Sequence, residues 1–295
     1  MSTTLSAVSP ADGVPGPGAH ARERVTVLEP GRAERHYWRD LWHYRDLFAI
    51  LAWRDVVVRY KQTVIGVAWA VLRPLLTMVV FTIVFGKLAG LPSDGAVPYP
   101  ALVFAGMLPW FLFASILSEA SASLVGNANL IAKVYFPRLI IPTASAVVAL
   151  VDFAVNLVML FAIMAWYGVV PSWQIALLPA FVALAVLASL GPALLLTALN
   201  IKYRDFRYIV PFIVQFGLYV SPVGFSSAVV PEAWRFWYSL NPMVGVIDGF
   251  RWCLLGGESR LYLPGFALSL GVTALLLWLG IAYFRRTERS FADVV

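Results

Sequence analysis

Basic residues gather at four places along this chain, and each place abuts a long apolar run. The runs fall near 64–88, 100–125, 139–168, 174–199, 208–229 and 263–284. Each is near or above the roughly 20 residues that a helix needs to cross about 30 Å of hydrocarbon. Arg54, Arg59 and Lys61 precede the first run, and Lys133 and Arg138 lie between the second and third. Lys202, Arg204 and Arg207 separate the fourth from the fifth, and Arg285, Arg286 and Arg289 follow the last. Lys and Arg are retained on the cytoplasmic side of a membrane. All four clusters share that side only if the chain crosses six times with both termini inside. Composition agrees: 60% of residues are hydrophobic and 13% charged, against about 45–50% and about 25% in soluble proteins. The expected fold is an all-α integral membrane protein with six transmembrane helices.

The first 36 residues are different in kind. They have no apolar run, and their Pro and Gly oppose helix formation, so a disordered cytoplasmic tail is expected over 1–36, with no cleaved signal peptide. Residues 37–62 form the next segment. Leu41, Tyr44, Leu47, Phe48 and Leu51 share a face at helical spacing, which suits an amphipathic helix in the membrane interface. A helix docked on protein fits the pattern equally. The stripe fails at Arg54 and Asp55, where a bend is expected. The membrane domain proper is expected over 63–290.

The segment NPMVGVIDGFRWCLLGG, residues 241–257, is apolar but holds Asp248 and Arg251. If it crossed, the C-terminal arginines would lie outside, against the charge bias. At about 1.5 Å per residue it covers only part of the hydrocarbon. Pro242 suits a helix start and Gly256–Gly257 its end. With the Trp- and Tyr-rich PEAWRFWYSL before it, this makes an external re-entrant hairpin over 231–257, between spans five and six. Such backbone is tolerated only under a cover of protein or beside a wet cavity.

Charges within spans are costly and point to function or to structural pairing. Arg73 precedes Pro74 in the first span, Glu119 lies late in the second, and Asp152 lies near the middle of the third. Ala114, Ser118, Ala122 and Gly126 recur every four residues on the second span, a pattern that lets helices approach closely. No GxxxxGK[ST] phosphate loop occurs, so ATP hydrolysis would need another polypeptide. His20, His36 and His43 all precede the first span, Cys253 is the single cysteine, and no zinc motif exists. These facts weigh against the enzymatic alternative, an integral membrane glycosyl- or acyltransferase.

Four segments in order resemble the membrane subunits of polysaccharide-exporting ABC transporters, the export family for O-antigen, capsule and teichoic acid. They are RYKQTVIGVAWAVLRPLLTMVVFTIVFG (59–86), NLIAKVYFPRLIIPTASAV (129–147), NIKYRDFRYIVPF with YVSPV (200–222), and LNPMVGVIDGFRWCLLG (240–256). The resemblance covers roughly residues 40–290. It implies a homodimeric channel for a lipid-linked polysaccharide in the bacterial inner membrane, paired with two copies of a separate ATPase. ATP and Mg would be bound by that partner, no cofactor by this chain, and nucleic acid by neither.

The resemblance also implies roles. The loop after the second span becomes the coupling helix, with Asn127, Asn129, Leu130, Lys133, Tyr135, Phe136 and Arg138 as the ATPase-facing set. Asn127 or Asn129 could cap that helix. Phe212, Phe216 and Tyr219 share one face of the fifth span. With Trp69, Phe81 and Phe85 of the first they become channel-lining aromatics, on which sugar rings can stack and slide. A polar group, often an amide, is common near Arg73 in the family; the full charge is a departure. Apart from the resemblance, Asn241, Asp248 and Arg251 are expected to shape an external gate, with an Asp248–Arg251 ion pair or sugar contacts as its chemistry and simple surface pairing as the alternative. Within transport, the alternative is an exporter of drugs or small lipids, which shares the topology.

Overall fold

The computed structural model of the protein describes residues 37–61, 64–203, 205–255, 261–288 and 291. The expected tail 1–36, Arg204, Gly256, Gly257 and Arg289 lie outside the described residues. The chain divides into two compact units between Tyr37 and Trp38, and the second contains the elements that matter below. Among the described residues the secondary structure is entirely helical.

Helix α1 (Tyr37–His43) leads into α2 (Arg45–Tyr60), α3 (Val64–Phe81) and α4 (Tyr99–Gly126). A short α5 (Ala128–Lys133) precedes α6 (Ile140–Trp166), α7 (Leu178–Lys202) and α8 (Phe206–Val220). Then come α9 (Glu232–Tyr238), α10 (Pro242–Leu254) and α11 (Leu263–Thr287). α3 runs on into π-helical turns over Thr82–Leu88, and a 3₁₀ turn at Trp173–Leu177 precedes α7. Five helical stretches are long and apolar enough to cross a membrane: Val71–Leu88, Tyr99–Gly126, Ile140–Trp166, Trp173–Lys202 and Leu263–Thr287. The chain is therefore a multi-pass membrane protein.

The expected run 208–229 is the exception. Pro222 disfavours helical backbone at Ser221, which adopts φ −85°, ψ 153°, and α8 ends at Val220. Its 15 residues cover about 22 Å at 1.5 Å per residue, short of the hydrocarbon thickness. The apolar residues that follow form a buried turn, not a continuation of the helix.

α4 is the axis of the bundle. It is largely apolar and buried, as a helix surrounded by protein should be, with its exposed residues from Ser118 onward, and it packs on α6, α7 and α10. Side chains of α7 reach across to it: Thr197 Oγ1 donates to the Ala120 carbonyl and Asn200 Nδ2 to the Ser121 carbonyl, both at 2.9 Å. A close backbone approach joins α7 to α11. A Cβ built on Gly280 would lie 2.2 Å from the Gly191 carbonyl oxygen, so only glycine fits. The four-residue stripe on α4 is not the site of such packing in this protomer. Ser118, Ala122 and Gly126 are exposed, and a Cβ on Gly126 would meet nothing within 4 Å.

The N-terminal helices carry two apolar faces. The expected stripe of Leu41, Tyr44, Leu47, Phe48 and Leu51 is the part-buried one, and α2 packs against α6. Opposite it, Trp42, Ile50 and Trp53 are exposed. The expected bend at Arg54–Asp55 is replaced by continuous helix. Those side chains pair at 2.7 Å on the outer surface and need no break to escape burial. The break falls instead at Tyr44, between α1 and α2.

Candidate functional site

Three arrangements stand out, one on a face of the bundle and one at each end. On the face, α8 exposes Tyr208, Phe212, Phe216 and Tyr219 in one stripe. Phe212 and Phe216 stack with centroids 5.6 Å apart and planes 7° from parallel. The 3.6-residue period sets this alignment, and little covers it: Phe212 is 65% exposed and Phe216 58%. α3 exposes Trp69, Leu72, Leu76, Val79 and Val80 likewise. Phe81 and Phe85 behave differently. They pack edge to face at 5.3 Å, Phe81 is buried, and Phe85 lies half-buried against Phe225. Phe81 also lies 6.2 Å from Tyr219, which joins α3 to α8. The aromatic set thus divides into an outer row and an inner hinge of packing. Arg73 is exposed beside the outer row, one turn beyond Trp69. Pro74 is turned inward, and Thr77 Oγ1 donates to the Arg73 carbonyl at 2.9 Å.

At the α8 C-terminal end, the buried turn Ser221–Ser226 has carbonyls with no helical partner. Buried backbone oxygens must be satisfied, most of all at membrane depth. Arg251 of α10 does this. Its side chain is 1% exposed, and its guanidinium donates to the carbonyls of Val223 at 3.0 Å, Phe225 at 2.8 Å and Leu102 at 3.2 Å. The rigid five-donor fork of arginine suits such a task. Space for it comes from Gly106, where a Cβ would fall 2.6 Å from Nη2. Tyr99 donates its hydroxyl to the Gly224 carbonyl and Tyr238 to that of Val220, both at 2.8 Å. Asn241 caps α10 by accepting from Met243 N at 3.0 Å, and donates to Ser221 Oγ at 2.9 Å. α10 itself packs on α4, α7 and α11, with Phe250 against Phe153 and Phe181.

Asp248 does not approach Arg251 closely enough to form a direct ion pair among the described contacts; the two interact through space. Its carboxyl faces a small recess lined by Ser227, Arg235, Ser239, Tyr262 and Phe266. Burial raises its pKa to about 6, while Arg251 and a hydrogen bond from Ser227 pull it down. The neighbouring Arg235 donates to the carbonyls of Ala228 and Val230 and lies over the Tyr262 ring.

The α4 C-terminal end holds a polar network that sequence reasoning missed. Glu119 of α4 and Asp152 of α6 share one cation, Arg59 of α2, at 2.8 and 2.7 Å. Tyr60 donates its hydroxyl to the same Asp152, and burial followed by that bond pushes its pKa up to about 12. The partner of both carboxylates is 60 and 93 residues away in sequence, beyond any periodicity. Asn127 stands at the N-cap of α5 but does not cap it: its Oδ1 accepts from Arg54 and its Nδ2 donates to the Ser123 carbonyl. Asn129, Lys133 and Tyr135 are exposed, and Leu130 is half-buried. Phe136 is buried. Arg138 turns to the end of α11, donating its N–H and its guanidinium to Glu288 and lying 5.9 Å from the Phe291 ring.

The chain is 27% identical over 263 residues to an O-antigen export system permease protein RfbA of Myxococcus xanthus, covering 87% of this chain and 98% of that one. It is 26% identical over 260 residues to an O-antigen export system permease protein RfbA of Klebsiella pneumoniae, covering 85% and 95%. A polysialic acid transport protein KpsM of Escherichia coli is 23% identical over 254 residues, covering 80% and 92%. Residues 46–255 match a family described as ABC-2 type transporter, a stretch running from α2 through the buried Arg251 to the end of α10. The chain belongs to the ABC-2 type transporter membrane family.

Proposed function

We propose that this chain is the membrane channel subunit of an ATP-driven exporter that moves a lipid-linked polysaccharide, an O-antigen or related surface glycan, across the bacterial cytoplasmic membrane. It is a transport subunit, and a separate ATPase supplies ATP hydrolysis with Mg. Relatives named for O-antigen and polysialic acid export align over 80–87% of the chain and support the cargo class. The observation that carries the reading is the uncovered face of α3 and α8. A row of exposed rings on α8, with Trp69 exposed on α3, goes beyond the plain aliphatic surface that lipid alone requires. These rings suit a surface that meets a second copy across a path for sugar, where stacking holds rings without directional bonds. The complex is a homodimer with two ATPase subunits.

Six crossings then follow if α8 and the turn after it count as the fifth, shorter passage. Lys133, Arg138, Lys202, Arg207, Arg285 and Arg286 lie at or beyond the α4 C-terminal end, and that end faces the cytoplasm. Both termini lie there too. α9 and α10 form the external re-entrant hairpin, and Asn241, Asp248 and Arg251 hold its shape. Exposed Trp42 and Trp53 seat α1 and α2 in the inner membrane interface. Asn129, Lys133 and Tyr135 of the α5 corner meet the ATPase.

Deletion of this chain followed by analysis of cytoplasmic and surface glycan tests the cargo. Internal accumulation of one polymer, restored to the surface by the intact chain, is the expected result. Unchanged surface glycan would reject the proposal.

A further inference from the structure

The Arg59 network joins side chains of three helices. Arg59 sits in the last turn of α2. Its Nη1 holds Glu119 Oε1 of α4 and its Nη2 holds Asp152 Oδ2 of α6, so one planar group spans three helices. A turn and a half earlier, Arg54 Nη2 donates to Asn127 Oδ1 at 2.9 Å. Asn127 is the residue at which α4 ends and α5 begins, and its own amide is fixed to the Ser123 carbonyl at 2.8 Å. α2 is therefore tied to α4 at two points, Glu119 and Asn127, eight positions apart, or about 12 Å along the helix. Beyond Arg59 the chain enters α3 at Val64, the helix that bears Trp69 and Arg73 on its uncovered face.

Charge pairs this exposed add little to stability in water. Two carboxylates on candidate spans are an expensive way to glue helices that already pack through apolar contacts. What a guanidinium fork adds is direction: it fixes the angle between its two acceptors, which a greasy contact does not. A rotation of the α4–α5 corner would pull Asn127, and through Arg54 it would turn α2 about the fork at Arg59.

We propose that Arg59 is a positioning residue that transmits movement of the α4–α5 corner through α2 to α3, as a second route beside α4 itself. This rests on the exporter reading above, in which the ATPase works at that corner. The strut is a stiff lever. Arg54 is its point of loading, the Glu119–Arg59–Asp152 fork its pivot, and α3 its output.

The test uses the full chain reconstituted with its ATPase in vesicles, reading assembly, ATP hydrolysis and glycan export separately. Arg59→Gln lowers the ratio of export to ATP hydrolysis by about tenfold, while hydrolysis stays within about twofold of wild type. Arg59→Lys, which keeps charge but loses the fork, falls between. The deciding variant is Arg59→Gln combined with Glu119→Gln and Asp152→Asn. It removes the unpaired carboxylates, so it assembles even where the single variant does not. If charge balance were all that mattered, the triple variant would export normally, and that outcome overturns the proposal. Export and hydrolysis falling in equal proportion in the triple variant also overturns it. Wild-type vesicles that hydrolyse ATP yet move no polysaccharide would sink the exporter reading, and with it the coupling role of Arg59 that rests on it.

Discussion

Arg251 and Arg73 both lie within apolar helices of this chain, and their surroundings are opposite. Arg251 is sealed inside the bundle, and its donors are occupied by three carbonyls from two other segments. Arg73 is exposed on α3 among Trp69, Leu72 and Leu76. Burial with saturated partners marks architecture: Arg251 replaces the helix bonds that the turn after α8 cannot make. Exposure on an otherwise apolar surface marks a face still waiting for company. The same division separates Phe81, packed into the core, from Phe212 and Phe216, stacked on each other and otherwise bare.

The comparison breaks most easily at Arg251. Arg251→Leu leaves the Val223 and Phe225 carbonyls of the turn without donors, since that of Leu102 keeps its helix bond within α4, and each orphaned group costs about 1–3 kcal/mol. Loss of folded protein is expected, read as failure to recover a monodisperse species in detergent. Gly106→Ala should act in the same direction, because its Cβ would stand where Nη2 now lies. If Arg251→Leu melts within a degree or two of wild type, the carbonyl-satisfying role is wrong.

The outer aromatics should behave in the opposite way. Phe212→Ala with Phe216→Ala removes two exposed rings, so thermal stability in detergent changes little, surface substitutions being usually within about 0.5 kcal/mol. Export of polysaccharide, by contrast, should fall by about thirtyfold or more, since two lost stacking platforms at about 1 kcal/mol or more each remove at least about 2 kcal/mol. Equal losses of stability and export would return these rings to the core and erase the contrast.

Much of this was legible in the sequence. Hydropathy located the spans because lipid asks only for length and apolarity. It extended the fifth span through 229 because it cannot see which backbone groups find donors. Pro222 was the local signal, since it forces Ser221 out of the helix. The N-terminal stripe marked one helix face, but period alone left lipid and protein equally open as its partner, and the contact of α2 with α6 decides it. Arg59 was read only as a cytoplasmic charge, because Glu119 and Asp152 become its partners through folding. Phe136 was read as a surface anchor, although it is buried, because the short α5 corner folds it inward.

Arg73→Ala sharpens the contrast at smaller scale. Removing an exposed charge from a lipid-facing or wet surface should leave the melting point unchanged or slightly raised, since charge at this depth is costly. A role toward cargo or a second copy would lower export in the same variant. Unchanged export and unchanged dimer content together would reduce Arg73 to a residue that reaches the membrane surface along its own stem.

The last contrast is at Asp248, and it carries a sign. Burial raises its pKa to about 6, so the fold prefers the protonated acid more than the unfolded chain does. Its contribution to stability is therefore complete below the ordinary carboxylate range and is lost as pH rises through about 6. Between those limits the folded chain holds more protons, and stability falls with rising pH by at most about 1.4 kcal/mol per unit. Asp248→Asn fixes the neutral form. Melting curves in detergent at pH 5 and pH 7.5 should then differ less than those of wild type, with the variant gaining at the higher pH. An equal pH difference in both proteins would mean that the recess beside Ser227 and Arg235 solvates the carboxylate well, and that Asp248 belongs with the exposed charges instead of with Arg251.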